Sequence, residues 1–312
     1  MGFERDDYAC IVFQPHRFNI RVGEAEPAGE PEEPKYDNIL FEKKGRIAWI
    51  TLNQPEKRNP MSWKTEGEVI YALEEAYIDP EIRVVVLRAN GTSFSGGHDL
   101  AEIGLSADVR HSTRPSVRRL IEREVRHHTF YEYIFNYPKV IICQVQGFAL
   151  HGGENLHTMC DITIAAEDAQ FQGRGAPVVN IPGYMPMMAL PVGMGRRTVA
   201  FHISGKDAER LGMVSKAVPL EKLEEEVNKL AEAIALLPSD GIELNKRALN
   251  GMLEMAGMEG SWMVSSLMHS SGRHQRIRPG EYSFSKSRRD LGVKATIEAR
   301  RAEDLVWKPP KA

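Results

Sequence analysis

Two short stretches carry residues placed to act on a carbonyl. Gly96-Gly97-His98-Asp99-Leu100 follows the run Arg83-Val84-Val85-Val86-Leu87-Arg88, and Gly152-Gly153-Glu154-Asn155 follows Val140-Ile141-Ile142-Cys143-Gln144-Val145. Both runs are short, apolar and β-branched, the pattern of a buried strand. Each leads to a glycine pair, where backbone passes close to another group because no Cβ stands in the way. Residues Glu154 to Cys160 read as a helix start. The first N–H groups of a helix have no acceptor within it and gather partial positive charge. Two such turns, each supplying one N–H, form a two-donor cradle for an oxyanion, as when a carbonyl becomes an enolate. Either glycine pair taken singly is equally compatible with a plain strand-to-helix turn.

Further pieces fall in order along the chain. They are Arg58-Asn59-Pro60-Met61-Ser62, Asn180-Ile181-Pro182-Gly183, Ser204-Gly205-Lys206-Asp207-Ala208 and Gly212-Met213-Val214-Ser215-Lys216-Ala217-Val218-Pro219. With the two glycine turns they span residues 36–240, and in this combination the chain resembles the crotonase (enoyl-CoA hydratase/isomerase) superfamily. The resemblance implies an α/β fold, a spiral of ββα units followed by a C-terminal helical region that binds neighbouring subunits as a trimer or dimer of trimers. It implies an acyl-CoA thioester substrate, with no cofactor beyond the coenzyme A moiety that the substrate carries. The oxyanion donors are then the N–H groups of His98 and Gly152. The resemblance also implies that the loop of Arg58 and Pro60 lies over coenzyme A, with Gly96, His98, Asp99, Leu100 and Gly152 as further residues of the coenzyme A-binding site.

The resemblance is informative where it fails. Hydratases of the family use two glutamates to position water and move its proton. The alignment puts Asn155 in the place of the first and Gly175 in the place of the second, while Pro182 stands where some relatives carry a catalytic aspartate. An amide and a glycine cannot do acid/base work. Glu154 is one residue off, about 100° around a helix. His98 offers a replacement, because its side chain projects into or beside the pocket. Its Gly-His-Asp context is similar to methylmalonyl-CoA decarboxylases, which place a tyrosine near the position of Tyr184. Leu156-His157 and Cys160-Asp161 resemble the naphthoate synthase and ketocyclic-acyl-CoA hydrolase branch instead. His151 stands where the family often has glycine, and His157 is assigned to the inner helix face. Three readings follow: a hydratase-like lyase using His98, Glu154 or Tyr184; a decarboxylase or β-keto C–C hydrolase; or an acyl-CoA binder without turnover.

The elements that must position these residues are legible. Ile39–Phe41 and Ile47–Leu52 read as a hairpin, with Ser62 as N-cap of a helix from Trp63 to about Ala76. Strands at 83–88, 140–145 and 162–166, separated by helical stretches, imply parallel pairing with right-handed crossovers. Pro115–Phe135 is a long basic helix, and its adjacent His127 and His128 diverge by about 100°, a poor arrangement for shared metal ligation. The resemblance makes one of them a candidate lining for the acyl pocket, while a solvated or core histidine is the reading the residues themselves favour. Leu223–Leu237 is amphipathic, with Leu223, Val227, Leu230, Ile234 and Leu237 on one face. Later helical stretches carry Met252, Leu253, Met255 and Met258, then Trp262, Met263, Leu267 and Met268. Residues 1–35 hold the Pro-, Gly- and Glu-rich segment 23–34, expected to be a solvated linker. The division is 1–35, a core at 36–240 and a helical region at 241–312. A net charge of −3 across 312 residues points to neither a nucleic-acid nor a membrane partner. The N-terminus has no long apolar signal region, so a cytoplasmic location is expected. Cys10, Cys143 and Cys160 lack paired metal spacing and read as packing thiols.

Overall fold

The computed structural model describes residues 36–99, 102, 117–172, 203–272, 284–292 and 295. Leu100, Gly175, Pro182, Tyr184, the linker at 23–34 and the basic stretch 273–280 lie outside them.

The chain enters as an antiparallel hairpin of β1 (Ile39–Lys44) and β2 (Ile47–Leu52). Helix α1 (Trp63–Ile78) then carries it to β3 (Val84–Ala89), parallel to β2. The Ser62 hydroxyl accepts from the Thr65 N–H, the N-cap expected from the sequence. Helix α2 (Val117–Asn136) leads to β4 (Val140–Val145), then β5 (Phe148–Leu150), α3 (Gly152–Met159), β6 (Ile162–Ala166) and β7 (Gln170–Gln172). After β8 (Ile203–Ser204) come α4 (Gly205–Arg210), β9 (Lys216–Val218), α5 (Leu223–Ala235), α6 (Ser239–Met255), α7 (Met258–Gly272) and α8 (Phe284–Leu291).

Six strands form the larger sheet in the order β1-β2-β3-β4-β6-β9, parallel from β2 onward, and β5-β7-β8 form a second sheet. Each turn of the chain therefore lays one strand in the large sheet and the next in the small one. β4 and β5 precede α3 in this way, and β6 and β7 repeat the step. The turn after β3 does the same in miniature, since Ser95 bridges Ala149 of β5 in parallel. This is the expected spiral of ββα units.

The inner strands β2 and β3 of the large sheet are near-continuous apolar runs, as strands buried on both faces must be. β2 is buried along its whole length, and β3 nearly so. Helix α5 packs on β2, β3, β4 and β6, while α1 packs on β1 and β2. Leu223, Val227 and Ile234 are buried and Leu230 partly so, but Leu237 is exposed. The helix ends at Ala235, so the expected fifth position of that stripe falls outside it. Of the methionine-rich faces, Met258 and Trp262 are buried, whereas Met252, Met255, Met263 and Leu267 are exposed. Helix α6 is pinned to the sheet by Lys246, whose ammonium donates to Asp161 Oδ2 at 2.7 Å and to the Lys139 carbonyl at 3.2 Å. Among the described residues, no helix is long and apolar enough to cross a membrane.

Candidate active site

The first glycine turn is held by a loop that crosses it. Met61 and His98 form a parallel bridge, with Met61 N–H donating to the Gly97 carbonyl at 2.8 Å and Asp99 N–H to the Met61 carbonyl at 3.0 Å. In such a pair the intervening residue turns its own N–H to the other side. The His98 N–H therefore faces away from Met61. The loop itself is organised by Asn59, whose amide donates to the carbonyls of Asn90 and Ser93 and accepts from the Gln54 N–H. The Ser95 hydroxyl donates to the Asn59 carbonyl at 2.7 Å and accepts from the Gly97 N–H at 3.1 Å. Arg58 and Lys57 are exposed on this loop, Pro60 is half-buried, and the Arg58 carbonyl accepts from the Gly96 N–H.

The second turn meets the first face to face. Gly97 has φ +98°, and a Cβ there would lie 2.9 Å from the Leu150 carbonyl oxygen and 3.0 Å from His151 Cβ. Only glycine allows that approach. Helix α3 begins at Gly152, two residues earlier than the sequence suggests, because His151 acts as its N-cap and accepts from the Asn155 N–H at 2.9 Å. His151 adopts φ 47°, ψ −107°, a conformation that a non-glycine residue holds only when its surroundings enforce it. As the first residue of α3, Gly152 has an N–H with no acceptor within the helix. A Cβ on Gly152 would sit 2.9 Å from His98 Cε1 and 3.0 Å from Nδ1, and one on Gly153 only 2.6 Å from Ser95 Cβ. The structure thus brings His98, Gly96, Gly97 and Gly152 together.

A polar cluster lies beside these turns. His98 Nδ1 is 3.9 Å from Glu66 Oε1, with both side chains nearly buried, at 10% and 4% exposure. The Tyr131 ring stands edge-on to the His98 ring at 6.4 Å, and its hydroxyl donates to the Gly152 carbonyl at 3.3 Å. Tyr131 is fully buried, and burial together with the Glu66 charge pushes its hydroxyl well above the ordinary tyrosine range, so it remains a donor. The Asn155 side chain acts on the same hydroxyl in the opposite sense, drawing it down.

Glu154 is buried in the first turn of α3, and Asn155, one residue later, is the side chain presented to Tyr131. The other histidines divide by packing. His128 stacks edge-on against Trp262 of α7 at 5.0 Å, and so joins the α2–α7 contact. His157 is fully buried on the inner face of α3, 4.7 Å from the Phe171 ring, and burial pulls its imidazole down to about 3. The thiols of Cys143 and Cys160 are free, with the Cys143 thiol pushed up by burial.

Glu66 and Tyr131 were not singled out from the sequence. A signal for Glu66 does exist. It shares a helical stripe with Val69, Leu73 and Ala76, all buried, and a carboxylate on such a stripe requires a partner. No comparable signal marks Tyr131, which sits among the aromatic residues of α2.

Residues 42–291 match the family described as Enoyl-CoA hydratase/isomerase. The chain belongs to that family. It is 30% identical over 276 residues to a Mycobacterium tuberculosis protein named "Putative enoyl-CoA hydratase EchA13", which spans 80% of this chain and 86% of that one. Among solved structures, an enoyl-CoA hydratase from Mycobacterium smegmatis is similar with a TM-score of 0.76 at 25% identity, covering 86% of this chain and 94% of its own. An enoyl-CoA hydratase/isomerase from Xanthobacter autotrophicus Py2 gives 0.75 at 26%, covering 86% and 99%. Membership makes this a CoA-thioester enzyme of the crotonase type.

Proposed function

We propose that the protein forms an enolate from an acyl-CoA thioester, with the thioester oxygen held by the N–H groups of His98 and Gly152, and that His98 moves the proton. One observation carries the reading. The His98 imidazole lies directly against Gly152, where a Cβ would touch the ring, so the imidazole borders the cradle itself. A cradle of two fixed backbone donors stabilises charge that appears only as the reaction proceeds, typically about 2.7–4 kcal/mol per donor. With an amide at Asn155 in place of the first hydratase glutamate, the proton must be handled elsewhere.

Within this reading, decarboxylation is favoured over two-glutamate hydration. Loss of carbon dioxide generates the enolate without prior proton abstraction, and a single donor then completes the reaction. Arg58 and Lys57, exposed on the loop beside Gly96, are suited to coenzyme A phosphates. Exposed apolar side chains on α6 and α7 support assembly as a trimer or dimer of trimers.

The test is mass spectrometry of products from enoyl, malonyl-type and cyclic β-keto CoA thioesters in H₂¹⁸O. Loss of carbon dioxide supports decarboxylation. Label in a new carboxylate means C–C hydrolysis, and one added labelled water without cleavage means hydration. Binding with no turnover across the panel would overturn the enolate reading.

A further inference from the structure

We infer that Glu66, supplied by α1, is the positioning carboxylate of this site, acting through His98 in place of the two glutamates the chain lacks. The inference rests on the proposed role of His98 and deepens it. Glu66 and His98 come from elements that the loop at residues 54–62 and the Met61–His98 bridge lock together, and both side chains are shielded from water. At 3.9 Å the pair is too far apart for a neutral hydrogen bond yet close enough for strong attraction once the imidazole is charged. The carboxylate therefore responds to the charge of His98 more than to its tautomer. Nδ1 is the nitrogen near Glu66, which leaves Nε2, itself buried, as the nitrogen assigned to proton exchange with the acyl group.

The step balances in both directions. When His98 acts as base, the Cα–H bond breaks and its electrons become the enolate C=C, while the thioester oxygen takes the charge. The proton forms an N–H bond at Nε2, and the imidazolium sits beside Glu66. When a carboxylated thioester reacts, the C–CO₂ bond breaks, carbon dioxide leaves, and the same N–H bond breaks to protonate Cα. Tyr131 completes the arrangement, since its hydroxyl fixes the Gly152 peptide while its ring edges the imidazole.

The experiment compares wild type, Glu66→Gln, Glu66→Leu, His98→Gln and the Glu66→Gln/His98→Gln double variant. Measurements are turnover and KM on the thioester that wild type consumes, Cα–H exchange in D₂O, and coenzyme A affinity by calorimetry. Glu66→Leu is included as a second variant of similar volume that removes the carboxylate without leaving another polar group on the buried stripe. Both Glu66 variants are expected to lose about tenfold or more in kcat, with KM and coenzyme A affinity within about twofold. In the His98→Gln background, Glu66→Gln is expected to add little, because the two act as a unit. Wild-type kcat in a folded Glu66 variant overturns the inference alone, as does an equal loss with and without His98. A wild type that neither exchanges Cα–H nor turns over any thioester overturns the underlying enolate reading, and the inference with it.

Discussion

Backbone donors cannot be deleted by truncating a side chain, so the proposed cradle is tested through the glycines that shape it. Gly152→Ala would place a methyl 2.9 Å from the His98 ring and must displace it. That variant is expected to lose about 10²-fold or more in kcat while retaining most of its coenzyme A affinity. Wild-type turnover in folded Gly152→Ala would show that the ring position is immaterial. At the opposite face of α3, His157 has a different consequence. Its imidazole is held neutral to about pH 3 by burial, whereas in the unfolded chain it titrates near 6.5. Between those values the unfolded state binds the extra proton, so this contribution is intact above about pH 6.5 and is lost as pH falls toward 3. The unfolding free energy of wild type from urea titrations should therefore fall between about pH 6.5 and pH 4 by up to about 1.4 kcal/mol per pH unit from this site, and His157→Met should flatten the slope. Identical slopes in the two proteins would refute the assignment.

At the scale of elements, the site depends on how α1, α3 and α6 are anchored. Asp161 accepts from both Lys246 and the Ile141 N–H, at 2.7 and 2.8 Å. Removing it by Asp161→Ala leaves the nearly buried Lys246 ammonium beside only the Lys139 carbonyl. The expected cost is about 2–3 kcal/mol, below the range for a fully buried pair because Asp161 retains 23% exposure. The Lys246→Met/Asp161→Leu double variant should recover much of it. Denaturant midpoints and hydrogen exchange across α6 check both, and a double variant no better than Asp161→Ala would refute the account. The α1 cap is a simpler case. Ser62→Ala should cost about 1 kcal/mol, read from thermal unfolding.

Among the described residues, α6 and α7 carry apolar side chains that the single chain leaves exposed. Leu244, Leu249, Met252 and Met255 of α6 and Met263, Val264 and Leu267 of α7 are exposed in the single chain. Sedimentation velocity at micromolar concentration is expected to show a trimer or a dimer of trimers, and a Leu249→Glu/Met252→Glu variant to shift it toward smaller species. A wild-type monomer would contradict the assembly reading. The same surface illustrates a limit of patterning, since periodicity alone does not separate a core face from one left for another chain.

How much was legible follows from the range of each interaction. Strand runs, the Ser62 cap and the glycine turns are local, so composition and spacing determined β2 to β4, α1 and the strand–turn–helix order. The start of α3 was not legible, because it follows a His151 of positive φ that packs against Gly97, more than fifty residues away. His128 could have faced an acyl pocket or a neighbouring helix by periodicity, and the packing of Trp262 decided between them. The Glu66–His98 pair shows the division most clearly. The sequence determined that a carboxylate lies on a buried stripe of α1 and that a histidine follows a glycine turn. Only the tertiary structure brought them within 3.9 Å, because the meeting of two elements depends on how the whole chain winds, which no local pattern records.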